Sequence, residues 1–249
     1  MQRRITPPAV ILVALLALTG CGAGTSPGAS TGTATGTATP AIAPAAAPTA
    51  TPTPAKSFSN ADLTGLLSTL KDAHGKPLTV VPAAQIDQGI IKAKQLLKTA
   101  VFTPAACKAL ADSNAQIPDG STYAAGTSIS ATDKTTTVVT VIALKDAQTM
   151  TKQLNTSQAA AAQCKTFTLE AGGQKITTET TPVDSATDGD VSFAALTKQR
   201  LATGQAQTAL TVTGIKGNLA ATAVKAGPAV TQQASAELTQ LVNTILAHG

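Results

Sequence analysis

The strongest strand signal in the chain is a run of eight β-branched residues, Thr135-Thr136-Thr137-Val138-Val139-Thr140-Val141-Ile142. β-branched side chains fit the pleated, half-buried surface of a sheet. The tripeptide 132–134 separates this run from another predicted strand. The two segments, residues 123–131 and 135–144, therefore form a predicted hairpin.

Two more predicted hairpins follow, and each has a glycine in its turn. A final strand comes after a further turn that also contains glycine. Glycine adopts the positive φ angles that tight hairpin turns require. Strands joined by tight turns are antiparallel, so the sequence predicts an antiparallel sheet. The segments are residues 165–171 and 175–182 about Gly172-Gly173, 191–201 and 205–215 about Thr203-Gly204, and 219–224 after Lys216-Gly217-Asn218.

Helical patterns stand before, between and after these hairpins. Asn60 is the predicted N-cap of the first helix, and Thr103 with Pro104 is predicted to open a later one. The combination predicts an α+β fold, an antiparallel sheet built from consecutive hairpins and covered largely on one face by helices. The apolar stripes are Leu63, Leu66, Leu67 and Leu70; Ile86, Ile90, Ile91, Leu96 and Leu97; Ala147, Met150, Leu154, Ala161 and Cys164; and Val230, Ala234, Leu238, Leu241 and Ile245.

The N-terminal residues 1–20 have the layout of an export signal, with two arginines, an apolar run and small residues. The apolar run is about half the length that a membrane-spanning helix needs. Leu18-Thr19-Gly20-Cys21 resembles the lipobox of bacterial lipoproteins. The resemblance implies cleavage after Gly20 and lipidation of Cys21, whereas the alternative is an ordinary secretory signal.

Residues 21–57 form a linker rich in Thr, Ala, Pro and Gly. Such a segment has little apolar surface to bury, so we expect it to be disordered. Clustered Thr beside Ala and Pro resembles the O-glycosylated stalks of actinobacterial lipoproteins, and an unmodified spacer is the equal alternative. The globular domain is predicted over residues 58–249.

The composition of the chain limits its core and its partners. The chain has no Trp, one Tyr and four Phe, so the core must consist of Val, Leu, Ile, Ala and Thr methyl groups. Removal of Arg3 and Arg4 with the signal lowers the formal net charge from +5 to +3. A weakly basic domain with few aromatic residues is not typical of nucleic-acid binding.

Beyond Cys21, the chain contains only Cys107 and Cys164. In an exported protein two such cysteines most simply form a disulfide bond. The two histidines, His74 and His248, have no ligand spacing to these cysteines, so we predict no metal site and no cofactor.

Several short features of the C-terminal part resemble a known family. They are Pro104-Ala105-Ala106-Cys107, the Val-rich strand, Ala162-Gln163-Cys164-Lys165-Thr166-Phe167, Gly217-Asn218-Leu219 and the closing amphipathic helix. Over residues 100–249 the chain resembles the extracellular sensor domains of mycobacterial serine/threonine kinases of the PknH type, which also occur in actinobacterial lipoproteins. The resemblance implies helices around a cleft and a ligand-sensing role outside the cell. The chain departs from that family in lacking Trp and a second disulfide.

Candidate catalytic residues are few, and each has a simpler structural explanation. His74 precedes a glycine and His248 lies at the end of the chain, so neither is the fixed histidine of a catalytic triad. A solvated turn explains Asp184, Asp188 and Asp190 better than a calcium site does. Glu170 and Glu179 lie on neighbouring predicted strands, where an acid/base pair remains an alternative.

A solvated helix face explains Lys92, Lys94, Lys98 and Lys108 better than an anion-binding patch does.

The sequence therefore predicts a membrane-anchored lipoprotein on the extracytoplasmic face of the cell membrane. Its folded domain is predicted to be a non-catalytic ligand-binding or sensor-type module, with a small ligand or an envelope protein as its partner. The alternatives are a lipid or glycolipid carrier of the cell envelope and a structural docking lipoprotein.

Lipidation predicts incorporation of labelled palmitate into the wild-type protein and no incorporation after Cys21→Ser, because the acyl groups attach to that cysteine. The measurement is metabolic labelling followed by gel autoradiography of the native protein. Equal labelling of both proteins, or of neither, would contradict the anchor.

Overall fold

The computed structural model describes residues 56–114, 117–145 and 163–249. The signal, Cys21, residues 22–55 of the predicted linker and most of the predicted helix over residues 146–164 therefore lie outside the described residues. None of the described helices is both long enough and apolar enough to span a membrane.

The described part contains four α-helices, one 3₁₀ turn and nine strands. The helices are α1 (Asn60–Thr69), α2 (Ala83–Thr99), α3 (Cys107–Asn114) and α4 (Ser235–Leu246), with the 3₁₀ turn at Gln232–Ala234. The strands are β1 (Thr79–Val81), β2 (Val101–Thr103), β3 (Thr122–Ser130), β4 (Thr135–Ala143), β5 (Thr166–Ala171), β6 (Gln174–Pro182), β7 (Val191–Leu201), β8 (Ala206–Lys216) and β9 (Leu219–Gly227).

All nine strands form one antiparallel sheet in the order β1-β3-β4-β9-β8-β7-β6-β5-β2. The predicted α+β class and all three predicted hairpins are confirmed. Gly172, Gly173 and Gly204 have the positive φ angles that their turns require. The final strand is three residues longer than predicted, because β9 continues to Gly227 beside β4 and β8.

Two predicted helix starts are wrong. Ser59, not Asn60, caps α1, because its hydroxyl accepts from the Asp62 amide while the Asp62 carboxylate accepts from the Ser59 amide. Thr103 is the last residue of β2 and pairs with Thr168, so it is not an N-cap. The Thr103–Pro104 peptide bond is cis, and α3 begins only at Cys107.

The two faces of the sheet differ completely in charge. Strict alternation along the paired strands places every charged strand residue on one face, here called the charged face. The opposite face of the nine strands, the neutral face, carries Thr, Gln, Tyr, Pro and apolar side chains only. The charged residues are Glu170, Lys175, Glu179, Lys198, Arg200, Lys216 and Lys225.

Helices α1 and α4 cover about half of the charged face, over β3, β4, β9 and β8. Leu63 and Leu67 of α1, with Leu238 and Ile245 of α4, are fully buried there against small sheet residues such as Val139. Three leucines of the predicted α1 stripe are buried and Leu66 is half-buried, as its spacing indicates. The charged part of this face, on β5, β6 and β7, remains exposed.

Helices α2 and α3 lie on the neutral face, so the helices do not cover one face alone. The Tyr123 hydroxyl donates to Asp87 at one end of α2, and Leu97 at the other end packs near Phe102 and Leu169. The hydrogen bond to the Asp87 carboxylate, together with burial, raises the pKa of Tyr123. A 17-residue helix is about 25 Å long and reaches from β3 to β5, so it crosses this face.

The predicted disulfide is confirmed between Cys107 and Cys164, with 5.6 Å between the Cα atoms. Both cysteines are buried in a small cluster with Phe102, Phe167 and Leu169 on the neutral face. The bond joins Cys107, the first residue of α3, to Cys164, which lies two residues before the start of β5. The two cysteines are 57 positions apart in the sequence. Closing a loop of this length stabilises the fold by about 4 kcal/mol in the chain-entropy model.

One ion pair crosses the interface between α4 and the sheet. The Lys225 Nζ atom on β9 lies 2.7 Å from the Glu237 Oε2 atom, and the two side chains are only 13% and 17% exposed. The Glu237 Oε1 atom is buried without a partner in the described structure. Glu237 also stands in the first turn of α4, where a negative charge is favourable.

Removal of one member of this pair leaves the other charge partly buried and uncompensated. We expect Lys225→Met to lower the free energy of unfolding by about 2 kcal/mol, and Lys225→Met with Glu237→Leu to restore most of that loss. Lys198→Met is the control, because this lysine is exposed on the same face. Equal urea denaturation midpoints for the Lys225 and Lys198 variants would contradict a stabilising pair.

Candidate functional site

A groove of about 600 Å³ lies between α4 and residues 183–190, which connect β6 to β7. It is open to solvent along one side of the helix. Its lining consists of hydroxyl, carboxamide and carboxylate groups and two alanines. The lining residues are Asp184, Ser185, Ala186, Asp188, Ser235, Ala236, Thr239, Gln240, Asn243 and Thr244.

The helix side of the groove follows from the amphipathic pattern of α4. Its leucine, valine and isoleucine side chains are buried against β8 and β9. The groove-lining residues recur on α4 at intervals of three and four, so they form a second stripe beside the buried one. Because the residues of this stripe are small and polar, they leave space between α4 and the loop over residues 183–190. That space is the groove.

Hydrogen bonds at several points hold the loop side of the groove. The Ser185 and Thr239 hydroxyls lie 2.6 Å apart, and the Asp188 amide donates to Asn243 Oδ1 at 2.9 Å. The Gly217 amide donates to the Asp190 carboxylate at 2.9 Å, which fixes the end of the loop on the β8–β9 turn. These hydrogen bonds attach the loop to α4 and to the β8–β9 turn, so the groove is already formed without a ligand.

Close backbone approach fixes the loop more tightly than these hydrogen bonds alone. A Cβ atom on Gly189 would lie 2.5 Å from the Ile215 carbonyl oxygen and 2.9 Å from its nitrogen. A Cβ atom on Gly214 would lie 2.6 Å from the Thr187 hydroxyl and 2.7 Å from a Leu246 methyl group. Both glycines are required because larger residues would push the loop and α4 away from β8.

The groups that remain available in the groove are mainly hydrogen-bond acceptors. Within the described residues, the Asp184 and Asp188 carboxylates and the Gln240 side chain have no hydrogen-bond partner. Two carboxylates offer four acceptor oxygens, and the hydroxyls add more. The groove is therefore suited to a ligand that supplies hydrogen-bond donors, such as an ammonium group or sugar hydroxyls.

The three aspartates of the loop do not gather around one point. Asp184 and Asp188 line the groove, whereas Asp190 accepts from the Gly217 amide at the end of the loop. No group of three or more His, Cys, Asp or Glu side chains in the described residues is placed to hold a metal ion.

Glu170 and Glu179 share the charged face but do not form a pair. Glu170 lies opposite Lys175 and makes a 3.1 Å ion pair with it, whereas Glu179 lies opposite Thr166 and Lys198. Glu170 is four positions after Thr166 on β5, which corresponds to about 13 Å along the strand. The acid/base alternative is therefore wrong for these two residues.

His74 lies on the turn between α1 and β1, beside the β3–β4 hairpin. Its Nε2 atom lies 2.7 Å from Asp133 Oδ2, which also accepts from the Ser130 hydroxyl at 3.0 Å. The hydrogen bonds from His74 and Ser130 lower the pKa of Asp133. The carboxylate stands between the imidazole and the hydroxyl, whereas a catalytic triad needs the imidazole in the middle.

The neighbouring Asp72 attaches the same turn to β3. Its carboxylate accepts from the His74 and Lys76 amides, at 2.9 Å each, and from the Ser128 hydroxyl. Burial favours the neutral acid, but these hydrogen bonds outweigh it and lower the pKa of Asp72. The polar cluster around His74 therefore connects elements of the fold. His248, the other histidine, is exposed near the end of the chain.

The clustered lysines divide into two kinds. Lys92, Lys94 and Lys98 are exposed on α2. Lys108 instead donates to the Leu97 carbonyl oxygen at 2.8 Å and pairs with Asp112 at 3.1 Å. It therefore joins α3 to the end of α2.

No protein-family model matches the chain, and no curated protein matches it. Among solved structures, the chain is similar to the extracellular domain of PknH from Mycobacterium tuberculosis. That likeness has 13% sequence identity and a TM-score of 0.47, and covers 78% of this chain and 97% of that one. A putative uncharacterised protein of Mycobacterium smegmatis, the Rv0999 ortholog, matches with 13% identity and a TM-score of 0.41, over 60% of this chain and 77% of that one. The resemblance inferred from the sequence is thus confirmed as a structural likeness.

Gly189→Ala should destabilise the protein, because the new methyl group would meet backbone atoms of Ile215 that cannot move without disturbing β8. We expect a loss of about 1–3 kcal/mol in the free energy of unfolding. Gly65→Ala is the matched control, because a methyl group added to this residue of α1 would meet no atom within 4 Å. That change should stabilise the protein by about 0.5–1 kcal/mol. Urea denaturation measures both, and an unchanged Gly189 variant would contradict the close approach.

Proposed function

We propose that this protein is a lipid-anchored, extracytoplasmic binding module without catalytic activity. In this proposal Cys21 attaches the chain to the outer face of the cell membrane, and the groove beside α4 binds a ligand rich in hydrogen-bond donors. The groove is the observation that carries the proposal, because it combines a preformed wall with unpartnered acceptor groups.

Two features support a location outside the cytoplasm. The sequence Leu18-Thr19-Gly20-Cys21 matches each position of a lipobox. The Cys107–Cys164 disulfide is a bond that persists in oxidising compartments and is rare in the cytosol. More than one acyl chain on a cysteine provides stable membrane anchoring, because each buried CH₂ contributes about 0.8 kcal/mol.

The chemistry of the groove favours a polar ligand over a lipid. A lipid carrier needs apolar walls around acyl chains, whereas eight of the ten groove residues carry hydroxyl, carboxamide or carboxylate groups. Two exposed carboxylates, Asp184 and Asp188, provide the strongest available contacts, since hydrogen bonds to charged groups contribute about 1.5–3 kcal/mol. A ligand with ammonium or hydroxyl donors would use them directly.

The prediction is tested on the full mature chain carrying Cys21→Ser, by NMR titration with spermidine and, separately, with trehalose. We expect saturable shifts of the Asp188, Thr239 and Asn243 amides with one of these probes. Asp184→Asn and Asp188→Asn should each weaken binding about tenfold or more, because each removes a charged acceptor.

Asp119→Asn is the control, because this aspartate is exposed outside the groove. Added salt distinguishes the two probes, because it weakens binding of a cation and leaves binding of a sugar nearly unchanged. No saturable shift with either probe, or an equal loss of affinity in the Asp119 variant, would contradict the proposed groove.

A further inference from the structure

A second polar feature lies on the neutral face, away from the groove. Thr178 on β6 and Gln199 on β7 lie directly opposite each other in the strand register. The two residues are 0% and 5% exposed. The Thr178 Oγ1 atom and the Gln199 Nε2 atom are both buried without a hydrogen-bond partner in the described structure.

The hydroxyl pairs elsewhere on this face show that its polar groups are normally satisfied. Thr213 on β8 and Thr222 on β9 are also buried, and their hydroxyls lie 2.9 Å apart. Thr180 and Thr197, the next opposed pair beside Thr178 and Gln199, have their hydroxyls 3.4 Å apart. The Thr178–Gln199 pair is therefore the exception among these opposed polar pairs.

An unpaired donor and an unpaired hydroxyl at one buried spot point to a missing partner. A buried polar group without a hydrogen bond destabilises the fold, so such groups in proteins normally meet a partner side chain, an ordered water or a ligand. The Nε2 group can only donate, whereas the hydroxyl can donate or accept. A single oxygen acceptor placed between them would satisfy both.

The surroundings restrict the charge of that partner. No strand contributes a charged side chain to the neutral face, and Thr178 lies opposite Phe167 on its other side. Transfer of an ion into a buried site without a countercharge is far more costly than transfer of a neutral polar group. The sheet around the pair therefore supplies no countercharge, which favours a neutral partner.

We propose that Thr178 and Gln199 form a second binding site, for a neutral ligand whose carbonyl or hydroxyl oxygen accepts hydrogen bonds from both side chains. Phe167, opposite Thr178 on β5, and Ile176, two positions before Thr178 on β6, lie on the same face and supply apolar contacts for the rest of the ligand. Helix α2 crosses the face that carries this site. The site is independent of the groove, which lies beside α4.

The test uses three probes of nearly the same shape: neutral acetamide, anionic acetate and cationic acetamidinium. The full mature chain carrying Cys21→Ser is titrated with each, and the side-chain amide signals of Gln199 are followed by NMR. We expect saturable shifts with acetamide only. Thr178→Val, which keeps the shape and removes the hydroxyl, should weaken that binding at least threefold.

Two variants serve as controls for folding and for position. Thr177→Val changes the neighbouring residue of β6, on the charged face, and should leave acetamide binding unchanged. Thr213→Val removes a hydroxyl that has a partner, so it should lower the melting temperature by about 2–4 °C. Thr178→Val should not lower it, because the hydroxyl it removes has no protein partner.

Three outcomes would overturn the proposal. The first is equal shifts with acetamide and acetate, which would show that charge is not excluded. The second is acetamide binding that survives Thr178→Val unchanged. The third is a long-lived water at Gln199, detected by water–amide NOE, with no response to acetamide, which would show that the site holds an ordered water only.

Discussion

The structure depends on the contact of α4 with β8 at Gly214. The position of a Cβ atom on this residue is already occupied by side chains from α4 and from residues 183–190, at 2.6–2.9 Å. A chain with so few aromatic residues fills its core with small side chains, which requires helix and sheet to approach closely. The same close approach places the loop beside the helix. Core packing and the groove therefore have one common origin.

The separation of charge between the two sheet faces organises the rest of the molecule. The charged face keeps Lys and Glu in water on β5 to β7, and its remaining area is buried by α1 and α4. The neutral face carries the disulfide cluster, α2 and buried threonines. Threonine packs like valine through its methyl group but needs a partner for its hydroxyl. A Thr-rich face therefore gains polar positions without charge, and two opposed pairs of hydroxyls, Thr213–Thr222 and Thr180–Thr197, satisfy four of them.

The features that could be predicted from the sequence depend either on residues adjacent in the chain or on a single possible pairing. All three hairpins were predictable because β-branched runs and turn glycines are adjacent in the chain, and the disulfide because only two cysteines were available. The strand over residues 101–103 was missed because it is three residues long and depends on contacts distant in the sequence, namely pairing with β5 and burial of Phe102 beside Phe167. The groove was also missed, although Asp184 and Asp188 were noticed. Its second wall is α4, about fifty residues later in the chain, and no local pattern joins Asp188 to Asn243.

The contacts of Lys56 have a consequence for how the domain is presented. Its side chain donates to the His248 carbonyl oxygen, and its own carbonyl oxygen accepts from Asn218 on the β8–β9 turn. The segment that leads back toward Cys21 thus leaves the sheet at the same end as this turn. The turns of the β3–β4, β5–β6 and β7–β8 hairpins are at the opposite end, about 30 Å away along strands of nine to eleven residues. Those three turns are therefore the part of the sheet most distant from the point at which the N-terminal segment joins the domain, so a partner could reach them without meeting that segment.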